Sequence, residues 1–250
     1  MHTLFSSVTS KLLSSLNKVH RNCRNLLPHN CLLCDNQTQD YREHLCRLCR
    51  EDLPYPADQC LGCSVQLNVK QAYCGYCQKL IPPFKLVTSA GYVTPLKQLI
   101  SSLKYHNNQL VAHELAQHLA RRVTQLIADN LLQAPQYLVA VPLHRKRLQQ
   151  RGYNQAQLIT ESLSQLLDIP TLHCVHRIVN TTTQTELDAK QRETNLKGAF
   201  SLITQIPSGT IALVDDVYTT GATMQELART LNVDQHLKIQ MWSIARTTLD

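Results

Sequence analysis

The chain has 250 residues and a formal net charge of +7; 43% of it is hydrophobic and 5% is aromatic. That length accommodates one sizeable domain and a small one, and no apolar run approaches the length of a membrane span. The positive charge suits anionic partners such as phosphates or nucleic acid, while with so few aromatic residues no multi-base stacking platform is visible.

Residues 1–27 carry Lys11, Lys18, Arg21 and Arg24 and no acid. Leu4, Val8, Leu12, Leu16 and Val19 recur at helical spacing, which predicts a short basic amphipathic helix. The segment lacks the continuous apolar core of a secretory signal, so the expected compartment is the cytoplasm. Residues 28–81 form a cysteine-rich module. Eight of the ten cysteines fall in four Cys-x-x-Cys pairs: Cys31/Cys34, Cys46/Cys49, Cys60/Cys63 and Cys74/Cys77. Eleven residues separate the first two pairs and ten the last two, so the module reads as two similar halves. Each pair makes a tight turn that aims two thiolates at one ion, and two such turns close a tetrahedral site. A thioredoxin-like redox pair normally occurs once, beside a βαβ pattern, so four pairs point to one or two structural zinc ions. Pairing of the turns is open between sequential and crossed arrangements. Gly62 and Gly75 lie inside two of the turns, where positive φ is expected. Cys23 and Cys174 stand alone and are read as non-ligands.

Pro82-Pro83 marks the boundary to residues 84–250. Strands are predicted at Leu86–Tyr92, Tyr137–Val141, Leu172–Val175, Ile211–Val214 and Lys238–Ile244. Helices are predicted from Pro95, capped by Thr94, to a break at Asn107-Asn108, with Leu96, Leu99, Ile100 and Leu103 on the apolar face, from about Val111 to Asn130, from Gln155 to Leu167 and from the Thr219–Thr223 turn to about Leu231. Alternation of strands and helices implies an α/β fold, a parallel twisted sheet flanked by helices, with ligands at the carboxyl ends of its strands.

Three stretches in this domain suit a sugar phosphate. Ile211–Val214 is a buried strand followed by Asp215 and Asp216, placed where the strand leaves the sheet, and then by Thr219-Thr220-Gly221-Ala222-Thr223 opening a helix. Backbone N–H groups at a helix N-terminus bind phosphate, and paired carboxylates accept hydrogen bonds from vicinal hydroxyls. Pro142–Gln155 reads as a basic loop leaving a second core strand. Its Leu143, His144, Arg145, Lys146, Arg147 and Arg151 are candidates for a pyrophosphate. Residues 180–198 read as a long polar loop, flexible and able to close over a ligand, with Gln184, Leu187, Arg192 and Asn195 as its candidate residues. Asp215, Asp216 and Arg192 form the candidate catalytic set. Lys104-Tyr105 ends the first helix and is a weaker signal.

The order Ile211–Thr223 resembles the phosphoribosyl-pyrophosphate (PRPP) motif of type I phosphoribosyltransferases. By that resemblance Asp215 and Asp216 hold the ribose 2′- and 3′-hydroxyls, and Thr219, Thr220, Gly221, Ala222 and Thr223 cradle the 5′-phosphate. More of the chain is similar to the ComF family, which joins a zinc-ribbon-like module to such a domain. The matching stretches are Leu26-Leu27-Pro28, the paired Cys-x-x-Cys turns, Leu103-Lys104-Tyr105, Val141-Pro142-Leu143, Arg151-Gly152-Tyr153-Asn154-Gln155, Gln184-x2-Leu187, Arg192-x2-Asn195 and the PRPP-like motif. The resemblance implies PRPP with Mg²⁺ as ligand and a role in natural competence, DNA uptake or use of DNA as a nutrient. Three functions follow: a phosphoribosyltransferase, a non-catalytic PRPP-responsive adaptor contacting competence-machinery proteins, or a single-stranded DNA binder using residues 144–151 and the zinc module. No residue identifies an acceptor.

Overall fold

The computed structural model describes residues 30–38, 44–56, 58–105, 109–180, 196–232 and 236–247. The chain divides into two compact units, residues 1–53 and 54–250. The basic segment 1–27, Cys23 and the loop residues Gln184, Leu187, Arg192 and Asn195 lie outside the described residues.

The cysteine turns gather sequentially, Cys31, Cys34, Cys46 and Cys49 in one group and Cys60, Cys63, Cys74 and Cys77 in the other, with the sulfurs of each group within 4.8 Å of one another. Cys34 and Cys46 Sγ are 3.7 Å apart, as are Cys63 and Cys74. Four thiolates about 2.3 Å from one tetrahedral ion stand about 3.8 Å from each other, so both groups fit structural zinc. The two halves repeat at the level of single hydrogen bonds. Asp35 N–H donates to Cys31 O as Ser64 N–H donates to Cys60 O, and Leu32 N–H donates to His44 O as Leu61 N–H donates to Ala72 O. Each second pair opens a short helix, α1 (Arg47–Glu51) and α2 (Gly75–Leu80). Positive φ falls on Asp35 (60°) and Ser64 (54°), one residue past each first pair, and not on Gly62 or Gly75 as expected. Gly62 answers a different need, since a Cβ there would collide with Pro82 and the Cys77 sulfur.

In the larger unit β1 (Lys85–Gly91), α3 (Leu96–Tyr105), α4 (Gln109–Ala128), β2 (Tyr137–Ala140), α5 (Arg145–Arg151) and α6 (Gln155–Leu167) follow in order. After them come β3 (Val175–Arg177), β4 (Phe200–Leu202), β5 (Gly209–Tyr218), α7 (Ala222–Leu231) and β6 (Leu237–Arg246). The main sheet has strand order β1-β6-β5-β2 and every pair in it is parallel. β5 and β6 are apolar on both sides because helices cover both faces. Ile211, Leu213, Ile239 and Met241 share a buried cluster with Met224, Leu227 and Leu231 of α7. The alternate residues, including Ala212, Val214 and Trp242, face the other way, where α4 and α6 pack on the sheet.

Three local expectations are corrected. The basic stretch after β2 is a helix, α5, rather than a loop, capped by His144 Nδ1, which accepts from Lys146 N–H, and closed by Gly152 at φ 80°. The short strand expected at Leu172–Val175 lies at Val175–Arg177 and pairs antiparallel with β4, which carries Phe200. The two acids do not follow β5 but lie within it.

Candidate functional site

β5 leaves its two neighbours at different points. Toward β2 the ladder ends at Val214, whose carbonyl accepts from Val141 N–H at 2.9 Å. Toward β6 pairing continues through Asp215↔Ser243 to Tyr218↔Arg246. The acids therefore sit on backbone held from one side and open on the other. Strand alternation sends the two side chains to opposite faces. Asp216 Oδ2 meets Lys104 Nζ of α3 at 2.8 Å. Asp215 lies on the face of α7 and β3, and its charge is felt by Arg177. Each carboxylate also accepts from the next backbone amide, Asp215 Oδ1 from Asp216 N–H and Asp216 Oδ1 from Val217 N–H, both at 2.9 Å.

A cavity of about 300 Å³ opens over these carboxylates. Thr219 and Thr223 line it from the turn after β5, and Leu143, Arg147 and Arg151 line it from α5 and the chain before it. Arg177 of β3 and Lys104 complete the cationic side. Arg147 and Arg151 are one helical turn apart, so they share the cavity face of α5. Burial and then the nearby Arg151 charge lower the Arg147 pKa; burial and then Arg147 lower that of Arg177. Like charges gathered at a half-buried surface cost energy unless an anion joins them. Arg145 and Lys146 are exposed, and neither they nor His144 line the cavity.

The turn Thr219–Thr223 also divides. Gly221 takes the N-cap of α7 at φ 78° with no side-chain cap, and a Cβ there would collide with the Tyr218 ring. Thr220 Oγ1 accepts from Ala222 N–H at 3.4 Å. Thr220, Gly221 and Ala222 shape the turn without lining the cavity.

Several cavity residues were not singled out as binding candidates. Tyr153 stands behind the cavity rather than in its lining: its O–H donates to Leu103 O at 2.6 Å, which anchors the end of α5 beside Lys104. Asn154 caps α6 through Ala156 N–H and donates from Nδ2 to Val141 O at 3.0 Å. Gln155 is buried; its Oε1 accepts from Arg151 Nη1 at 3.0 Å, while its Nε2 has no partner among the described residues. Tyr92 and Thr247 line the cavity from the ends of β1 and β6. Asn154 and Gln155 stand in a quoted family stretch, so a signal existed for them. Tyr92 and Thr247 offered none, because strand order alone brings them there.

Burial, and after it the charge of Asp216, push the Asp215 carboxyl up to about 8, against the Asp216 amide and Lys104, which lower it. The folded protein then holds this proton more tightly than the unfolded chain does, so stability falls as pH rises from about 4 to about 8 and levels above. We expect Asp215→Asn to remove that slope: its melting temperature should gain on the wild type between pH 5 and 8. Parallel melting curves across that range would contradict this.

The fold and cavity define a class: a chain with two four-cysteine sites whose parallel α/β domain sets paired carboxylates opposite clustered guanidiniums. Competence protein F of Haemophilus influenzae is 36% identical to it over 230 residues, covering 89% of this chain and 99% of that protein. DNA utilization protein YhgH of Escherichia coli K12 is 33% identical over 228 residues, covering 88% and 98%. Competence protein ComFC of Bacillus subtilis is 27% identical over 224 residues, covering 80% and 88%. The chain belongs to the ComF family of competence and DNA-utilization proteins. No family model matches it. Among solved structures, adenine phosphoribosyltransferases of Leishmania tarentolae and Leishmania donovani overlay with TM-scores of 0.39 and 0.37 at 11% and 12% identity. Each covers 66% of this chain, and the overlays span 92% and 84% of the Leishmania chains. Scores this low carry no weight for fold or function. Among the described residues no helix is long and apolar enough to cross a membrane.

Proposed function

We propose that this chain binds PRPP with Mg²⁺ in the cavity over β5 and transfers the phosphoribosyl group to a nitrogen acceptor, in the service of DNA uptake or of DNA use as a nutrient. The carrying observation is the division of the cavity, with two carboxylates on β5 facing Arg147, Arg151 and Arg177. A diol joined to a pyrophosphate complements that division. Asp215 and Asp216 accept from the ribose hydroxyls, Thr219 and Thr223 donate to the 5′-phosphate, and the guanidiniums take the pyrophosphate in bidentate geometry. Asp215 and Asp216 are the oxygen donors that would hold Mg²⁺, which would supply neutralising charge at the pyrophosphate. The residues of the chain position the anomeric carbon and stabilise charge on the departing pyrophosphate. Arg192 would close over the ligand from the polar loop.

Calorimetry tests the binding. PRPP should give Mg²⁺-dependent heat, and replacing Arg147 and Arg151 together with Gln should weaken it at least about a hundredfold, from two lost charge-assisted contacts. No heat at millimolar PRPP would sink the proposal.

A second reading, binding of single-stranded DNA, is favoured by Arg145 and Lys146, which face solvent on α5 away from the cavity. Under it, DNA affinity falls with added salt and with removal of those two charges.

A further inference from the structure

Arg151 ends α5, Gln155 begins α6, and both border the cavity over β5. Gln155 is 3% exposed, and its Oε1 accepts from Arg151 Nη1 at 3.0 Å. The corner between them is fastened at each residue. Gly152 closes α5 at φ 80°, Tyr153 O–H donates to Leu103 O, and Asn154 Nδ2 donates to Val141 O just past β2. Gln155 Nε2 is buried, so this side chain reaches a ligand only through Arg151. We propose that Gln155 is a positioning residue of the anion site: it fixes the Arg151 guanidinium for a bound pyrophosphate group while leaving its positive charge unspent. This assignment rests on the PRPP reading above, which gives that guanidinium its ligand.

Local stability alone favours a carboxylate at this position. It would form an ion pair with Arg151, which makes none among the described residues. It would offset the repulsion between Arg151 and Arg147, whose pKa is lowered by burial and then by that neighbouring charge. It would also stand in the first turn of α6, at the positive end of the helix dipole, where no acid is found. The amide forgoes all of this. It further leaves a buried Nε2–H without an acceptor among the described residues, a cost that an accept-only carboxylate does not carry. What the amide supplies instead is orientation without neutralisation. Its Oε1 takes the Nη1–H as a carboxylate oxygen would, yet adds no charge that cancels the guanidinium or repels an anion. Bidentate recognition of a phosphate needs a guanidinium plane held in one orientation, and the Gln155 bond holds it.

The test uses the full chain loaded with zinc and titrates inorganic pyrophosphate with Mg²⁺, PRPP with Mg²⁺, and ribose 5-phosphate, which lacks the pyrophosphate. Gln155→Glu keeps the shape and the acceptor and adds a charge. Gln155→Met keeps the bulk and the neutrality and removes the acceptor. We expect Gln155→Glu to weaken pyrophosphate and PRPP binding by about tenfold or more and Gln155→Met by about threefold, with ribose 5-phosphate affinity within about twofold in both. In an Arg151→Gln background Gln155→Met should cost nothing further, because its effect passes through Arg151. Melting curves and zinc content identify a variant that does not fold; if Gln155→Glu is one, Gln155→Met and its cycle with Arg151 decide. The inference is overturned if Gln155→Glu binds pyrophosphate as the wild type does, if Gln155→Met loses as much without the Arg151 guanidinium as with it, or if ribose 5-phosphate affinity falls in step with that for pyrophosphate. A wild type that takes pyrophosphate but no PRPP, with the expected losses in the variants, would support the inference and overturn the reading on which it rests. PRPP binding untouched by Gln155→Glu would overturn the inference alone, and a wild type that binds neither ligand would overturn both.

Discussion

Asp215→Asn combined with Asp216→Asn should abolish PRPP binding while leaving the fold and the metal content unchanged. Hydrogen bonds to a charged group contribute roughly 1.5–3 kcal/mol each, so two lost carboxylates predict a fall in affinity of about a hundredfold to ten-thousandfold. Asparagine keeps the shape of aspartate, and the backbone beneath both positions is paired to β6, so the strand has no reason to move. The two single variants should differ. Asp216→Asn also strips Lys104 of its partner at 2.8 Å. Lys104 carries a raised pKa despite the burial that opposes its charge, because Asp216 and Asp215 hold the ammonium form. Without Asp216 that cation is free to meet the ligand, which offsets part of the loss. Asp215→Asn has no such compensation and should be the more damaging single change. Calorimetry on the three variants decides this; a double variant binding within about tenfold of the wild type would remove the carboxylates from the site.

Cys60→Ser should cost the chain one zinc ion and destabilise the larger unit, whereas Cys31→Ser should cost one ion and leave that unit's melting intact. Structural zinc in a four-thiolate site contributes on the order of 10 kcal/mol of apparent binding free energy, which for so small a module is folding free energy. The second site is tied into the sheet. Cys60 Sγ accepts from Gly62 and Cys74 amides, and the carbonyl of the adjacent Leu61 accepts from Leu86 N–H of β1 at 2.6 Å. Lys70 also pairs with Asp129 at the end of α4, at 2.7 Å. Metal analysis and melting of the two variants provide the check. Identical melting of Cys60→Ser and Cys31→Ser would show that the second site does not support the sheet.

Much of this was legible in the chain. Uninterrupted apolar runs at Tyr137–Val141 and Ile211–Val214 announce strands covered on both faces, and the spacing of the cysteines announces two similar halves. What was hidden depends on three dimensions. Asp215 and Asp216 look like loop residues because charges seldom continue a buried strand, and only the staggered ends of β2 and β6 explain why β5 carries them. Arg145–Arg151 looks like a loop because its charges mask a helical turn; the helix then separates Arg147 and Arg151 from Arg145 and Lys146, which sequence treats as one cluster. Lys104 looks like an ordinary helix-end cation until the fold delivers Asp216 to it. The loop residues of 181–195 remain an expectation from sequence.

The half-released end of β5 also determines how the chain keeps its register. Ile211, Ala212, Leu213 and Val214 are apolar without alternation, so a slip of one residue along the sheet would present hydrophobic side chains to both layers as before, and the core would barely detect it. The carboxylates would. A slip exchanges their faces, turning Asp216 away from Lys104 and Asp215 away from the side of Arg177. In this strand the polar pair, and not the greasy run before it, supplies the error signal that selects one alignment over its neighbour.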